Sequence, residues 1–169
     1  MGRVVRVEEL VRIREEARAS SMRLVFTNGC FDIVHRGHTE LFEAARALGD
    51  ILVVAINSDA SVARLKGSRR PIVAQEDRAA VLAALGAVDY VTVFEEDTPA
   101  EIIDLIRPDV LVKGADYRPG EIVGRERVEA DGGEVVRFPL REGFSTEQLL
   151  RRIARVYGDL PDEGRPGEG

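Results

Sequence analysis

The only two histidines of the chain, His35 and His38, lie three residues apart in the stretch VFTNGCFDIVHRGH. They follow an apolar run that predicts a strand, and a helical pattern begins beside them near Gly37. A helix N-terminus favours an anion, and i, i+3 spacing puts both imidazoles on one face of the helix. The pair therefore predicts a phosphate-binding site. Two other interpretations stay open, a zinc pair with Asp32 as a further ligand and a pair of surface histidines.

Lysine is rare in this chain, since only Lys66 and Lys113 occur among 24 basic residues. Lys66 lies in the basic segment RLKGSRRP, which is either a solvated loop or a mobile cationic lid over a triphosphate. We favour the lid, because one of only two lysines falls there, and expect Arg69 or Arg70 to assist. Lys113 closes another apolar run, and Gly114 after it permits a close backbone approach to a base or ribose.

The elements that must position these residues alternate along the chain. Apolar runs at 23–28, 51–57, 89–94, 109–114 and 134–139 predict five strands, and helical patterns lie between them. Strands that are apolar throughout are typical of a parallel sheet covered on both faces. We therefore predict an α/β fold, a Rossmann-like, doubly wound five-stranded parallel sheet in three α/β/α layers. Ligands are expected beyond the carboxyl ends of its strands.

Helix caps follow from residue type at the predicted helix starts. Asp59 is expected to cap the helix that starts after the second strand, and Thr98 the one that continues with Pro99 at its first position. Ser145 or Thr146 is expected to cap the last helix. At 7–20, apolar residues at helical spacing with charged residues between them predict an amphipathic N-terminal helix.

Composition indicates an ordinary globular domain. The 169 residues include 44% hydrophobic and 32% charged residues, and no apolar run is long enough to span a bilayer. The single cysteine, Cys30, excludes an internal disulfide and is expected to be a small apolar filler. We predict a cytoplasmic protein. A net charge of −6 argues against nucleic acid as a partner, and no membrane partner is expected.

The string TNGCFDIVHRGH resembles the His-x-Gly-His signature of the nucleotidyltransferase superfamily, in its cytidylyltransferase-like branch. It is most similar to the bacterial heptose 1-phosphate adenylyltransferases. The similarity continues, in order, through GDILVVAINSDASVARLKGSRRP, RAAVLAALGAVDYVTVFEEDTPAEII, RPDVLVKGADY, GGEVVRFP and GFSTEQLLRRI. It implies the nucleotidyltransferase fold and transfer of AMP from ATP to a heptose 1-phosphate, with pyrophosphate released and Mg²⁺ bound with ATP.

The resemblance also implies roles for individual residues. The catalytic group would be His35, His38 and Lys66. Nucleotide and phosphate contacts are implied for Thr27, Asn28, Gly29, Cys30, Phe31, Gly37, Arg78, Lys113, Gly114, Ser145 and Thr146. Contacts with the acceptor sugar are implied for Asp32, Asn57 and Asp116. The resemblance implies no metal ion that is held by the protein itself.

Simpler explanations remain for several of these residues. Asp32 could instead hold an Asx turn, and Arg78 could be a surface helix residue. The chain also departs from the family pattern twice, with Ala115 where relatives carry glycine and Glu147 where they carry a second threonine. Ala115 bears on the local backbone only, because a methyl group disfavours positive φ.

We expect an N-terminal helical extension at 1–22, a nucleotidyltransferase domain at 23–157 and a disordered acidic tail at 158–169. The expected protein is a stand-alone enzyme without a sugar-kinase domain. A homodimer is a further expectation, with the N-terminal helix as a candidate interface. The alternatives are a cytidylyltransferase acting on glycerol 3-phosphate or a related polyol phosphate, and a regulatory nucleotide-binding module without catalysis. A redox Rossmann protein is disfavoured, because no Gly-x-Gly-x-x-Gly follows the first strand.

Overall fold

A parallel sheet with helices on both faces forms the fold, in a computed structural model that describes residues 1–114, 122–139 and 145–158. The strands are β1 (Arg3–Val4), β2 (Leu24–Gly29), β3 (Ile51–Asn57), β4 (Tyr90–Phe94), β5 (Val110–Gly114) and β6 (Glu134–Phe138). The helices are α1 (Val7–Ala19), α2 (Arg36–Arg46), α3 (Asp59–Lys66), α4 (Gln75–Ala83), α5 (Ala100–Ile106), α6 (Arg125–Ala130) and α7 (Thr146–Tyr157).

The sheet has six strands in the order β1-β4-β3-β2-β5-β6, so the predicted number of five is wrong by one. The additional strand is β1, whose Arg3 and Val4 pair with Tyr90 and Val91 at one edge. Two residues are too few to show a periodic pattern, and one of them is charged. The five predicted strands all form, and the α/β, doubly wound and parallel character of the fold is confirmed.

Two apolar clusters cover the two faces of the sheet, because successive strand residues point to opposite sides. Leu24, Phe26 and Val53 belong to the cluster on one face. Leu52 and Val54 belong to the cluster on the other face. This arrangement explains why the strands are apolar throughout: both faces are buried under helices.

The N-terminal segment packs against the same sheet. Leu10 and Ala17 of α1 are buried in the first cluster, and the buried Arg14 reaches the end of α5. The apolar side of α1 is therefore used within the chain, which leaves a mainly charged side outward. The domain boundary predicted at residue 22 and the dimer interface on this helix stay predictions.

Two predicted caps differ from the structure. Ser58, not Asp59, caps α3, and its hydroxyl accepts from the Ser61 N–H at 3.3 Å. Pro99 occupies the cap position of α5 without a side-chain cap bond, so Thr98 does not cap this helix. The Ser145 cap of α7 is confirmed.

The position of β2 in the sheet decides where a ligand can bind. The chain runs from β2 outward to β3 and β4, and then crosses to the other side of β2 to form β5 and β6. This reversal makes β2 and β5 the topological switch point, and sheets of this kind bind their ligands beyond the carboxyl ends of the strands at such a point. In the described ranges, no helix has the length and apolar character to cross a membrane.

Candidate active site

The two histidines stack at the start of α2, directly beyond the carboxyl end of β2. His35 is the N-cap residue and His38 lies in the first turn. Their ring centroids are 3.7 Å apart with 20° between the ring planes. The ring of Phe31 meets His38 edge-on at 5.0 Å and supports the stack from the side of the sheet. The predicted placement of both imidazoles on one face is confirmed.

Both imidazoles carry a ring nitrogen without a partner. The Nδ1 atoms of His35 and His38 are buried and make no hydrogen bond to any described residue. Burial, with a smaller effect of the neighbouring His35, lowers the pKa of His38 to about 4, and burial also lowers the pKa of His35. Both rings are therefore neutral at pH 7. A buried polar atom without a partner carries an energetic cost.

The end of α2 that carries the pair is open to an anion. Its first turn contains no acidic residue, and no side chain caps it. The positive end of the helix dipole and the buried Gly37 of the first turn thus lie beside the two imidazoles.

A zinc pair is not supported. No group of three or more His, Cys, Asp or Glu side chains that could hold a metal occurs within the described residues. The carboxylate of Asp32, the predicted third ligand, is occupied by other bonds described below.

A buried cation lies at the switch point itself. Lys113, at the end of β5, is 6% exposed, and its Nζ donates to the Asn28 side-chain oxygen on β2 and lies 3.4 Å from the Asn28 carbonyl oxygen. The bond joins the two strands of the switch point. Thr27 is buried on β2, and Gly114 ends β5.

Gly29 and Phe31 shape the turn after β2. A Cβ atom on Gly29 would lie 3.1 Å from the Phe31 ring, so a side chain there would press on the ring that supports His38. Phe31 itself has a φ of 44°, a left-handed conformation that costs energy for a bulky residue. Tight local geometry thus keeps the histidines near the strand end.

Arg78 is buried, so the interpretation as a surface helix residue is wrong. Its guanidinium donates to the carbonyls of Val73 at 2.9 Å, Cys30 at 2.6 Å and Asn57 at 3.0 Å, and to the Asp59 carboxylate at 2.7 Å. These bonds tie α4 to the ends of β2 and β3. Contact with phosphate, which the resemblance implies, stays a prediction.

Asp32 holds the basic loop. It accepts from the Arg70 Nε at 2.5 Å, the Ile72 N–H at 2.8 Å and the Val73 N–H at 2.9 Å. Burial on its own would raise the pKa of Asp32, but the two backbone N–H groups and Arg70 outweigh it and lower that pKa. These partners lie about 40 residues further along the chain, so Asp32 holds a distant loop rather than the local Asx turn of the alternative interpretation. Contact of Asp32 with the acceptor stays a prediction.

The other predicted site residues differ in their exposure to solvent. Lys66 ends α3 and is exposed, as is Arg69. Asn57 is 4% exposed, and its amide donates to the Ser61 hydroxyl at 3.0 Å. Burial raises the pKa of the Cys30 thiol despite Lys66, Arg78 and Arg70 nearby, which fits a packing role.

Three predicted site residues, Asp116, Ser145 and Thr146, lie at or beyond the limits of the described ranges. Asp116 and Ala115 fall within 115–121, outside the described residues. The predicted tail also lies outside the described residues from residue 159 onward. Ser145 and Thr146 stand at the start of α7.

No pattern in the sequence indicated the bonds of Asp59 with Arg78, of Arg70 with Asp32 and of the Val73 N–H with Asp32. Each of these bonds joins residues that are 19 or more positions apart along the chain.

Comparison with known proteins agrees with this geometry. The family described as cytidylyltransferase-like matches residues 26–131. The bifunctional protein HldE of Helicobacter pylori (strain Shi470) is 51% identical over 150 residues, and that of Koribacter versatilis (strain Ellin345) is 53% identical over 151. Each match covers 89% of this chain but only 32% and 31% of the relative, so the chain spans about a third of these proteins.

Solved structures share the fold. A lipopolysaccharide core biosynthesis protein from Thermoplasma volcanium GSS1 superposes with a TM-score of 0.61 at 28% identity, covering 72% of this chain and 99% of that one. A pantoate-beta-alanine ligase from Francisella tularensis, at 14% identity and a TM-score of 0.61, covers 85% of this chain and 69% of its own, and it shows a likeness of fold alone.

The parallel sheet, with helices on both faces and a reversal of strand order between β2 and β5, defines an α/β protein of Rossmann-like fold. The match over residues 26–131 is more specific, and the chain belongs to the cytidylyltransferase-like family. It is thus an enzyme of the nucleotidyltransferase class, as the resemblance implied, with HldE proteins among its relatives.

Proposed function

We propose that the protein transfers AMP from ATP to a heptose 1-phosphate, giving ADP-heptose and pyrophosphate. The observation that carries this proposal is the pair of stacked imidazoles at the N-terminus of α2, whose first turn has no acidic residue and no side-chain cap. Their environment is suited to the phosphate chain of a nucleotide. The choice of ATP and a heptose rests on the similarity to HldE proteins, in which the matched region is about a third of the chain.

The proposed reaction needs positioning and charge stabilisation more than covalent catalysis. An oxygen of the sugar phosphate attacks the α-phosphorus of ATP, the bond from that phosphorus to the bridging oxygen breaks, and pyrophosphate leaves. Neutral His35 and His38 each donate one N–H to the phosphate chain, where negative charge increases in the transition state. Lys66, exposed at the end of α3, approaches the same oxygens from the basic loop.

Mg²⁺ is proposed to enter bound to ATP. Within the described residues no cluster of acidic side chains could form a cage for it, and Mg²⁺ commonly binds substrate phosphates with few protein ligands. When bound, the ion would neutralise phosphate charge. The cytoplasm, where ATP is available, is the location that this proposal implies.

One panel tests the proposal. ATP and CTP are each combined with heptose 1-phosphate, glucose 1-phosphate and glycerol 3-phosphate, and pyrophosphate release is measured with and without Mg²⁺. We expect release with ATP and heptose 1-phosphate, and none from a His35→Ala/His38→Ala double variant. Turnover only with CTP and glycerol 3-phosphate would establish the polyol cytidylyltransferase instead. Tight ATP binding without release from any pair would establish a regulatory module.

A further inference from the structure

The two adjacent arginines of the basic loop have different environments. Arg70 is paired with Asp32, and its side chain is 19% exposed. Arg69 is exposed and has no ion pair with any residue that the structure describes. The sequence alone does not distinguish them, since they are neighbours of the same type in one polar segment.

Asp32 fixes the end of this loop from the side of β2. Its side chain is 1% exposed, and its two oxygens accept from Arg70, Ile72 and Val73. A carboxylate this well buried is stable only while such partners remain. The charge of Arg70 is therefore used within the protein.

Arg78 fixes the same loop end from the side of α4. It donates to the carbonyl of Val73, whose N–H is bound by Asp32, so both backbone groups of one residue are held by buried charges. The remaining bonds of Arg78 reach Cys30 and Asn57 at the ends of β2 and β3. The loop is thus anchored to the same strand ends that carry the histidines.

We propose that Asp32, Arg70 and Arg78 are positioning residues that hold residues 67–73 in place, whereas Arg69, together with Lys66, is the cation of this loop that contacts the nucleotide phosphates. This inference rests on the proposed function. It replaces a freely mobile lid with a loop that is anchored at its C-terminal end and carries the exposed Arg69, with the exposed Lys66 directly before it.

Binding of inorganic tripolyphosphate separates the two arginines. We expect Arg69→Ala to weaken binding about tenfold, the effect of one lost charge-assisted bond, and Arg69→Lys to restore most of it, because a phosphate accepts from either cation. Arg23→Ala is the matched control, since Arg23 pairs with Glu134 at the amino-terminal ends of β2 and β6, away from the strand ends that carry the histidines. Equal weakening by Arg23→Ala would show a nonspecific charge effect and overturn the assignment.

Amide hydrogen exchange at Ile72 and Val73 tests the anchor. We expect Arg70→Ala and Asp32→Asn to accelerate exchange at both amides, with effects that are not additive in the double variant. Arg69→Ala should leave exchange unchanged. At position 70 lysine should not restore protection, because the bond depends on the placement of the guanidinium Nε. Arg70→Ala is the informative variant if Asp32→Asn fails to fold.

The Arg69 and Arg70 variants should also differ in which kinetic constant changes. With ATP, Arg69→Ala should mainly raise KM, whereas Arg70→Ala should mainly lower kcat by displacing Lys66. The inference is wrong if Arg70→Ala weakens tripolyphosphate binding as much as Arg69→Ala while the exchange at Ile72 and Val73 stays unchanged. Binding and exchange need no acceptor, so these results stand even if the wild-type protein transfers no AMP to a heptose phosphate.

Discussion

At the scale of single residues, the site depends on two side chains that the fold holds in an unfavourable state. The stacked rings of His35 and His38 each bury a nitrogen without a partner, and Phe31 restricts the movement of His38. Such an arrangement costs stability in the free protein. This is the pattern expected where function rather than folding has selected the residues.

Removing either imidazole should reduce catalysis far more than stability. We expect His35→Ala and His38→Ala each to lower kcat by about 100-fold or more, which corresponds to roughly 3 kcal/mol of lost transition-state stabilisation. The melting temperature should change little. Glu43→Ala, an exposed position on α2, is the control and should keep wild-type turnover. A double histidine variant with wild-type activity would contradict the assignment.

The low pKa of His38 also predicts a pH dependence of stability. Above pH 6.5 the ring is neutral in both the folded and the unfolded state, so it contributes no dependence there. Between pH 6.5 and about 4 the unfolded chain binds a proton that the folded protein does not, so the free energy of unfolding should fall as the pH falls. In a His38→Asn variant this slope should be smaller, as urea unfolding at several pH values would show. An identical slope would mean that His38 titrates normally in the folded protein.

At the scale of elements, α1 is joined to the sheet through a buried arginine. Arg14 is 4% exposed and forms a bidentate pair with Asp109 at 2.7 Å, with further bonds to the carbonyls of Ile106 and Arg107. Asp109 in turn accepts from the Leu24 N–H at the start of β2. One ion pair therefore connects α1, the end of α5 and the strand that leads to the histidines.

Loss of this connection should destabilise the protein. We expect Arg14→Leu to lower the free energy of unfolding by about 2–3 kcal/mol, because Asp109 loses its guanidinium partner and two carbonyls each lose one donor. Arg12→Leu, an exposed position on the same helix, should change it by less than about 0.5 kcal/mol. Urea unfolding followed by circular dichroism measures both. Equal effects of the two substitutions would show that the Arg14 pair adds nothing beyond helix composition.

At the scale of the whole molecule, the reversal of strand order between β2 and β5 brings distant segments to the same end of the sheet. The histidines follow β2, Lys113 ends β5, and the basic loop follows α3. A ligand that contacts all three segments would join the two halves of the sheet. Its binding should therefore increase the free energy of unfolding of the whole protein.

Nucleotide binding should raise the melting temperature. At 100 times its dissociation constant, ATP with Mg²⁺ should add about 2.7 kcal/mol to the free energy of unfolding, which for a chain of this size is roughly 5–10 °C. The His35→Ala/His38→Ala variant should show a much smaller shift at the same ATP concentration. Differential scanning fluorimetry is sufficient for this test. An undiminished shift in the double variant would place the nucleotide away from the histidines.

The sequence by itself determined most of the elements and the shared face of the two histidines. Apolar runs of six or seven residues predicted the five long strands, and the spacing of His35 and His38 at a helix start predicted a shared face, because both signals are local and repeat with the period of the element. The short strand β1 was not predicted, because two residues cannot show a periodic pattern. The assignment of caps by residue type failed at Asp59 and Thr98, because neighbouring residues compete for the same position.

Only the tertiary structure decided which charges are used within the protein and which are available to a ligand. Charged side chains such as those of Asp32, Arg70 and Arg78 are typical of a binding site. In the folded protein, however, Asp32 and Arg70 pair with each other, and the buried Arg78 bonds to the carbonyl of Val73 in the same loop. These bonds join positions about 40 or more residues apart for Asp32 with Arg70 and for Arg78 with Cys30. A pattern along the chain reports the period of one element. The pairing of charges depends on how several elements meet in space.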